Sequence, residues 1–257
     1  MRTLAGVLGF PVAHSRSPAM MNAAFAELGL DWRYLKLPVP PARFAETVRA
    51  LPASGYRGAN VTIPHKLAAH ALADERTPAA AAIGAANTLT FEEGRVLADN
   101  TDAGGLLDAL GEDPAGRTAL VLGAGGAGRA AVWALREAGA EVAVWNRTAE
   151  RARVLAEELG VEHAERVGRP AEVLVNATAL GLRGEDVPAE LGLEPAGLVV
   201  ELVYGPEPTA LARWAETAGA RLVDGLEVLV RQGARSLERW TGRPAPLDVM
   251  RRAAATV

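Results

Sequence analysis

Short apolar runs alternate with helix-like patterns along the first hundred residues of the chain. Strands are predicted at 4–10, 32–39, 56–63, 88–91 and 96–98. Helical spacing of apolar residues follows each of the first three runs, and this β-α-β-α-β-α order predicts a mostly parallel sheet covered by helices. The last two runs predict a hairpin that turns at Glu93-Gly94.

The second half of the chain repeats the alternation after Asp113-Pro114-Ala115-Gly116, which is a candidate boundary. Strands are predicted at 118–122, 141–145, 172–176, 198–203 and 221–223, with helices between them. This order completes a doubly wound sheet. A long helix is predicted at 226–240, and a short basic helix ends the chain. We expect this tail to pack back across the domain boundary.

A glycine-rich turn joins the strand at 118–122 to an apolar helix. It reads Gly123-Ala124-Gly125-Gly126-Ala127-Gly128, so the Gly-x-Gly-x-x-Gly spacing lies between a strand and a helix as it must. Glycines allow a tight turn and a close approach to a pyrophosphate, which then lies on the helix N-terminus. Dinucleotide binding is therefore predicted at residues 123–127.

The end of the next strand indicates which dinucleotide binds. An NAD-binding unit carries an acid there, about 20 residues past the glycines, to hold the ribose 2′-hydroxyl. This chain has Asn146-Arg147-Thr148 instead. Because arginine recognises a 2′-phosphate, the sequence predicts NADP(H), with Arg147 as its reader. Arg151 is a candidate second cation, or an exposed arginine on a helix of mixed charge.

The stretch from Asn60 to Lys66, read as Asn-Val-Thr-Ile-Pro-His-Lys, carries the main candidate for chemistry. A helix is expected to start near Pro64, with Thr62 as or near its cap. Lys66 would then lie in the first turn, where the helix dipole opposes a cation. The chain has 27 basic side chains and only two are lysines, Lys36 and Lys66. Since lysine can exchange a proton and arginine cannot, Lys66 is either a catalytic lysine or a surface one.

Polar side chains cluster where predicted segments end, at Asn60, Thr62, Asn87 and Asp102. If these ends converge, they form a pocket suited to a small hydroxylated molecule. Each residue alone is also explained by turn or cap chemistry, and Asp102 could cap the helix at 103–110. Two further hydroxyls, Ser15 and Ser17, have spacing that lets them point at one ligand, although Ser17 before Pro18 is also an expected cap.

Composition excludes several classes of function. The 257 residues carry a net charge of −4, which gives no basic field for nucleic acid or anionic membrane. The chain has no cysteine, so disulfides, thiolate zinc sites and a cysteine nucleophile are excluded, and a reducing cytoplasm is expected. The start lacks the apolar run of a signal peptide and no stretch is long enough for a membrane span. Four scattered histidines predict no metal site.

Taken together in their order, these motifs resemble the shikimate dehydrogenase family over essentially the whole chain. The motifs that carry the resemblance are His14-Ser15-Arg16-Ser17-Pro18, the stretch at 60–66, Ala86-Asn87-Thr88, Asn100-Thr101-Asp102-Ala103-Gly104, the glycine turn, Asn146-Arg147-Thr148, Asn176-Ala177-Thr178 and the Gln232 helix ending in Trp240-Thr241-Gly242. Three positions depart from the family pattern: Glu201 stands where Asp is usual, Ala179 where Ser is common, and Val228 where Met is common.

The resemblance implies an α/β enzyme with an N-terminal substrate-binding α/β domain, a C-terminal Rossmann-type doubly wound NADP-binding domain and a cleft between them. The expected ranges are 1–101 with 236–257 for the substrate domain and 102–235 for the NADP-binding domain. The implied reaction is the reversible NADPH-dependent reduction of 3-dehydroshikimate to shikimate, on the route to chorismate and the aromatic amino acids. The implied enzyme binds small molecules only, as a monomer or homodimer in the cytoplasm.

The resemblance also implies roles for individual residues. Lys66 and Asp102 would be the catalytic pair. Ser15 and Ser17 would bind the substrate carboxylate with Tyr204 nearby, and the ring hydroxyls would contact Asn60, Thr62, Asn87, Asp102 and Gln232. The implied cofactor contacts are Gly123, Ala124, Gly125, Gly126, Ala127, Asn146, Arg147, Thr148, Arg151, Thr178, Leu202 and Gly225.

Three alternatives stay open at this point. The nearest is a quinate/shikimate dehydrogenase of broader substrate or cofactor use, possessing the same motifs. A protein of another class, a non-catalytic NADP-binding regulatory module, could share the fold because fold does not imply function. A folate-linked dehydrogenase of similar architecture is disfavoured by the paired serines.

Overall fold

The computed structural model describes residues 2–181, 192–205 and 207–256, and these form two compact units. The first unit contains Met1–Gly105 and Leu229–Val257, and the second contains Leu106–Val228. The domain ranges expected from the sequence, with boundaries after residues 101 and 235, stay predictions. No helix among the described residues is long and apolar enough to cross a membrane.

The first unit is built on a six-stranded sheet. Its strands are β1 (Thr3–Gly9), β2 (Trp32–Pro38), β3 (Tyr56–Val61), β4 (Glu75–Arg76), β5 (Thr88–Glu92) and β6 (Arg95–Asp99), in the order β2-β1-β3-β5-β6-β4. The strands β1, β2 and β3 are parallel, whereas β5 runs antiparallel to both β3 and β6. The sheet is therefore mixed, because the predicted hairpin adds its strands to the predicted parallel ones. The hairpin turns at Glu93 and Gly94, whose φ angles of 50° and 76° are both positive, as its tight turn requires.

Helices cover this sheet. They are α1 (Ser17–Glu27), α2 (Phe44–Ala50), α3 (Lys66–Leu72), α4 (Pro78–Ile83) and the start of α5 (Thr101–Leu110), with 3₁₀ turns at Pro41–Arg43 and Pro52–Ser54. The chain returns to this unit at its end, through α9 (Gly225–Thr241) and α10 (Leu247–Ala255). Within the unit, the C-terminal helix α10 packs against α1. Buried apolar residues that include Leu8, Val48 and Leu89 form the core.

The second unit is an open sheet of parallel strands. They are β7 (Thr118–Leu122), β8 (Glu141–Trp145), β9 (Glu162–His163), β10 (Val173–Asn176), β11 (Leu198–Glu201) and β12 (Arg221–Val223), in the order β12-β11-β10-β7-β8-β9. The helices α6 (Gly126–Glu137), α7 (Ala149–Leu159) and α8 (Ala210–Thr217) connect them. This is the doubly wound order of dinucleotide-binding folds, and it reverses direction between β7 and β10. Ligands of such sheets bind at the carboxyl ends of the strands at that reversal.

Candidate active site

In the first unit, four segment ends meet at one edge of the sheet. The carboxyl ends of β1 and β3 lie there because these strands are parallel, and the antiparallel β5 starts at the same edge. Asn60 near the end of β3 is in register with Thr88 at the start of β5, and Thr88 is in register with Asp99 at the end of β6. This topology brings together the polar residues that the sequence places at 60, 87 and 102.

Lys66 and Asp102 form an ion pair at this edge. Lys66 Nζ lies 2.5 Å from Asp102 Oδ2, and the two side chains are 13% and 19% exposed. The other carboxylate oxygen, Oδ1, accepts a hydrogen bond of 2.8 Å from Asn87 Nδ2. Asp102 is therefore held by Lys66 on one oxygen and by Asn87 on the other. The fixed carboxylate in turn fixes the position of the Lys66 ammonium, in a site that solvent still reaches.

The structure corrects the expected start of the helix that carries Lys66. Helix α3 begins at Lys66 with His65 as its N-cap, so Pro64 lies outside the helix. Thr62 does not cap it, because the Thr62 backbone still belongs to the sheet edge: its N–H donates to Leu8 O (2.8 Å). The Thr62 carbonyl then accepts from His65 N–H (2.9 Å), which closes a turn before the helix can start. Lys66 remains in a first helical turn, as predicted.

Asp102 does not cap α5, which begins one residue earlier at Thr101. The caps come from two asparagines: Asn87 Oδ1 accepts from Thr101 N–H (2.7 Å), and Asn100 Oδ1 accepts from Ala103 N–H (3.3 Å). The Asp102 carboxylate is thus left for Lys66 and Asn87. An anion in a first helical turn is also favoured by the helix dipole.

A buried hydrogen-bond network lies around Asn60, and four of its members were not predicted as site residues: Tyr34, Thr88, Thr101 and Ser236. Asn60 Oδ1 accepts from the Tyr34 hydroxyl (2.8 Å), and Asn60 Nδ2 donates to Ser236 Oγ (2.8 Å). Ser236 Oγ also lies 2.9 Å from the Thr88 hydroxyl and 3.1 Å from the Thr101 hydroxyl. Ser236 is fully buried, so Asn60 is held in a single orientation. The helical spacing of Ser236 and Gln232, four residues apart on α9, was the available signal.

Gln232 joins the same network from α9. Its Oε1 accepts a hydrogen bond of 3.2 Å from Asn87 Nδ2, and its Nε2 donates to Leu229 O (2.7 Å). Five of the predicted catalytic and substrate-binding residues are therefore close together or linked through shared partners: Lys66, Asp102, Asn60, Asn87 and Gln232.

The two serines lie at the start of α1 and are both about 6% exposed. The structure corrects the expectation that Ser17 caps this helix: Ser17 is its first residue, and no side chain caps it. Ser15 Oγ instead accepts from Ser17 N–H at 3.3 Å. The intervening Arg16 donates from Nη1 to Ala254 O (3.1 Å) in the C-terminal helix, which ties the serine loop to α10.

In the second unit, the glycine turn has the close packing that a dinucleotide site requires. Gly123 has a φ of 110°, and a Cβ at Gly128 would overlap the Gly123 carbonyl oxygen. Gly125 is the N-cap of α6, and a Cβ added there would meet no atom within 4 Å. The geometry of the turn itself thus explains Gly123 and Gly128. Gly125 is not, and a backbone left open at a helix N-terminus fits a pyrophosphate.

The residues after β8 fit a 2′-phosphate. Asn146 Oδ1 accepts from Ala124 N–H (3.2 Å), and its Nδ2 donates to Thr148 O (3.0 Å), so Asn146 joins the glycine turn to the start of α7. The side chains of Arg147 and Arg151 are exposed, and neither has a hydrogen bond or ion pair with another described residue. Arg153 on the same helix is already paired with Glu150 and Glu157.

The remaining predicted cofactor residues follow β10 and β11. Thr178 donates its hydroxyl to Asn176 Oδ1 (2.7 Å), and Asn176 in turn donates to the buried carboxylate of Glu201. Leu202 and Tyr204 come directly after Glu201 and are half-buried. Gly225 begins α9, where a Cβ would lie 2.9 Å from Leu202 O. Tyr204 belongs to the second unit and the two serines to the first.

A doubly wound nucleotide-binding unit and a lysine–aspartate pair in a cluster of polar side chains, both on one chain, are typical of a nucleotide-dependent dehydrogenase. Comparison with known proteins is consistent with this class. Residues 7–89 match the shikimate dehydrogenase substrate binding domain, residues 107–179 match shikimate/quinate 5-dehydrogenase, and residues 225–255 match the shikimate 5′-dehydrogenase C-terminal domain.

Full-length relatives agree. A shikimate dehydrogenase (NADP⁺) of Methanothermobacter thermautotrophicus is 44% identical, over 95% of this chain and 93% of the relative. A solved shikimate 5-dehydrogenase of Thermus thermophilus, in complex with NADP(H) and shikimate, is 44% identical with a TM-score of 0.91 and covers 99% of both chains. A 5-ketofructose reductase of Gluconobacter is 31% identical with a TM-score of 0.87, over 100% of this chain and 99% of that one.

The chain therefore belongs to the shikimate dehydrogenase family. This confirms the predicted family, the α/β fold class with a substrate-binding part and a Rossmann-type part, and the class of NADP-dependent oxidoreductases acting on a CH–OH group. The roles of the individual site residues stay predictions.

Proposed function

We propose that this chain catalyses the reversible NADPH-dependent reduction of 3-dehydroshikimate to shikimate, with Lys66 and Asp102 as its catalytic pair. The observation that carries the proposal is the 2.5 Å contact between Lys66 Nζ and Asp102 Oδ2, beside the side-chain amides of Asn87 and Gln232 and the Thr101 hydroxyl. The names of the family members support the reaction, and these polar side chains support a substrate rich in hydroxyl groups.

In the proposed reaction the substrate carbonyl becomes a CH–OH group, and bound NADPH supplies the hydride. The Lys66 ammonium stabilises the negative charge that develops on the carbonyl oxygen and donates the Nζ proton to it. In the reverse direction the neutral amine takes that proton back. Asp102 holds Lys66 and the reacting hydroxyl in position, and Asn87 holds Asp102.

The polar residues around this pair have the proposed role of binding the ring. Asn60, Thr62, Asn87 and Gln232 would contact ring hydroxyls, while Ser15 and Ser17 would bind the carboxylate. Tyr204 has the proposed role of a further substrate contact. The Asn60 and Asn87 amides are already oriented by protein hydrogen bonds, so little conformational entropy is lost when the substrate binds. Preorganised donors and acceptors of this kind also reject analogues that lack the matching hydroxyl.

The decisive assay is shikimate-dependent reduction of NADP⁺ by the purified chain, followed by NADPH absorbance. We expect turnover with shikimate and NADP⁺ to exceed turnover with quinate or NAD⁺. Comparable turnover with quinate or with NAD⁺ would instead assign the broader quinate/shikimate activity. Since a 5-ketofructose reductase shares this fold, reduction of 5-ketofructose by NADPH belongs in the same assay, and a higher rate with it would contradict the proposal.

A chain that binds NADP⁺ without turning over any of these substrates would be the regulatory module considered above. The lysine–aspartate pair argues against it, because a sensor does not need a proton donor. A cytoplasmic location and a monomeric or homodimeric state belong to the same proposal. Size-exclusion chromatography with light scattering would decide between the two states.

A further inference from the structure

Glu201 is a buried carboxylate that the proposed chemistry does not use. It ends β11 and is 1% exposed. Its Oε1 accepts from Asn176 Nδ2 and Val203 N–H, both at 2.9 Å, and its Oε2 accepts from the Thr209 hydroxyl at 2.9 Å. These donors come from β10, from the segment after β11 and from the N-cap of α8, and all three are neutral. Within the described parts of the chain, no cation pairs with this carboxylate.

A carboxylate in such a position is costly to keep ionised. Burial raises the pKa of Glu201 from 4.5 to about 7, and the hydrogen bonds from Val203, Asn176 and Thr209 only partly oppose it. Glutamine would fill the same space without that cost. A charge that burial works against, at the carboxyl end of a strand in a nucleotide-binding sheet, is a candidate for a functional role.

The charge matches the orientation of the neighbouring amide, which Leu180 O and Thr178 N–H also favour. An ionised carboxylate accepts hydrogen bonds and donates none, so the Asn176 NH₂ group must face Glu201. That NH₂ group also donates to Leu180 O (3.1 Å), which uses its second hydrogen. The Asn176 carbonyl oxygen must then face the other way, where it accepts from Thr178 N–H (3.1 Å) and the Thr178 hydroxyl (2.7 Å).

A protonated or amide side chain at position 201 would fit these donors less well. Either group donates as well as accepts, so it sets a donor against a neighbouring donor such as the Asn176 NH₂ group. Asn176 cannot turn over to relieve this, because Leu180 O needs its NH₂ group and Thr178 N–H needs its oxygen, so Asn176 would shift and weaken its hydrogen bonds with Thr178. Glu201 also accepts a hydrogen bond from Val203 N–H, and this bond holds the segment that contains Leu202.

We propose that Glu201 is a positioning residue for the cofactor: its ionised side chain holds Asn176 in place and thereby keeps Thr178 and Leu202 in the geometry that binds NADP(H). This inference rests on the proposed function, in which Thr178 and Leu202 contact the cofactor. The Thr178 loop follows β10 and Arg147 follows β8, on opposite sides of the central β7. Glu201 therefore serves the cofactor independently of its 2′-phosphate.

The test compares the unaltered protein with Glu201→Gln, which keeps the shape of the side chain. The dissociation constants of NADH and NADPH are measured between pH 6 and pH 8.5 from the cofactor fluorescence. For the unaltered protein we expect affinity for both cofactors to weaken by about tenfold as pH falls through 7. Glu201→Gln should bind both weakly, with no pH dependence for NADH. NADH decides the result, because it lacks the 2′-phosphate, which titrates by itself.

A double-mutant cycle tests whether the effect passes through Asn176. Asn176→Ala should lower the affinity for both cofactors by a similar factor. The double variant Glu201→Gln/Asn176→Ala should bind them no more weakly than either single variant does. Additive losses would overturn the proposed link. The KM for shikimate should change by less than about twofold in all three variants, because both residues belong to the second unit. If Glu201 only stabilised the fold, its replacement would instead weaken the binding of the cofactors and raise the KM for shikimate together.

Failure of this inference differs from failure of the proposed function. If the unaltered protein turns over shikimate while Glu201→Gln binds NADH with unchanged affinity and pH dependence, only the role of Glu201 is wrong. If the unaltered protein neither binds NADP(H) nor turns over shikimate, the proposed function is wrong. Circular dichroism of each variant establishes that it is folded. Should Asn176→Ala fail to fold, the pH dependence of Glu201→Gln decides alone.

Discussion

Each of the two units of this chain contains a carboxylate that is shielded from solvent to a different degree and stabilised in a different way. In the first unit, Asp102 is paired with Lys66 and receives a further hydrogen bond from Asn87. In the second unit, Glu201 receives hydrogen bonds only from neutral donors of the described residues. The first carboxylate is partly exposed beside a cation, and the second is almost completely buried.

The difference shows what each arrangement can do. A charge pair can carry a proton to and from a substrate while keeping the pocket near neutral overall. A lone carboxylate cannot do this without a change in net charge, but it fixes the direction of every donor around it. We therefore assign proton transfer to the first arrangement and orientation to the second, and four predictions test that division.

The largest effect is expected when Lys66 loses its exchangeable proton. Lys66→Arg keeps a cation beside Asp102 but cannot deprotonate, so kcat should fall by ~10²–10⁴-fold with a much smaller change in substrate KM. The matched control is Lys36→Arg, which makes the same change at the other lysine. Steady-state assays of both variants measure this, and near-normal turnover of Lys66→Arg would remove Lys66 from the mechanism.

The pH dependence of stability should reveal the cost of Glu201. Its pKa is raised in the folded state, from 4.5 to about 7, so its contribution to stability is complete below pH 4.5 and is lost as pH rises through 7. That loss is about 3 kcal/mol at most. Urea denaturation at pH 5 and pH 8 should therefore show Glu201→Gln gaining stability relative to the unaltered protein at the higher pH.

The opposite sign is expected at Glu172, which provides a control for that measurement. Hydrogen bonds from Thr118, the backbone one first, lower the pKa of Glu172. Its contribution is thus present above its unfolded pKa and is lost as pH falls. Glu172→Gln should lose stability relative to the unaltered protein as pH rises to about 5, and should show little further change between pH 5 and pH 8. A gain of stability by Glu172→Gln between pH 5 and pH 8 would contradict this account of Glu201.

Arg147 tests the cofactor side apart from Glu201. Arg147→Ala should lower the affinity for NADPH by ~10–100-fold while the affinity for NADH changes little, because only NADPH carries the 2′-phosphate. Arg153→Ala is the matched control, since Arg153 on the same helix is already paired with two glutamates. Binding titrations with both cofactors measure the ratio. Equal losses for NADPH and NADH would mean that Arg147 does not read the phosphate.

Two threonines on β5 give the smallest and most closely matched comparison. The Thr88 hydroxyl contacts Asn60, Thr101 and Ser236, whereas the buried Thr90 hydroxyl has no hydrogen-bond partner among the described residues. Thr88→Val should lower the free energy of unfolding by ~1–3 kcal/mol. Thr90→Val should leave it unchanged or raise it by ~1 kcal/mol. Chemical denaturation measures both, and equal destabilisation would show that Thr90 is satisfied in solution.

The sequence predicted buried strands better than segment ends. The bounds of β7, β8 and β12 are the same as predicted. For β7 and β8 the reason is that parallel strands in the middle of a sheet appear as nearly continuous apolar runs. The two-residue strands β4 and β9 are too short to form a pattern and were missed. The start of α3 was predicted too early. A backbone hydrogen bond from His65 N–H to Thr62 O closes a turn before the helix, and no side chain in the sequence indicates that bond.

The residues of the site were also only partly predictable from the sequence. Strand ends predicted that Asn60, Asn87 and Asp102 would come together, because topology alone decides which ends share an edge. The contributions of Tyr34 and Ser236 could not be predicted, since they depend on how side chains from distant elements meet in the core. Asn60 and Ser236, for example, are separated by 176 positions.

That separation has a consequence for synthesis of the chain. The first unit takes most of α9 and all of α10 from residues after 228, so its polar network stays incomplete until Ser236 has been synthesised. The second unit is complete in sequence at residue 228, eight residues earlier. During translation the nucleotide-binding part can therefore fold first, while the N-terminal strands wait for Ser236 and α10 to emerge. A nascent chain stalled before residue 229 would carry the cofactor fold but only part of the lysine pocket.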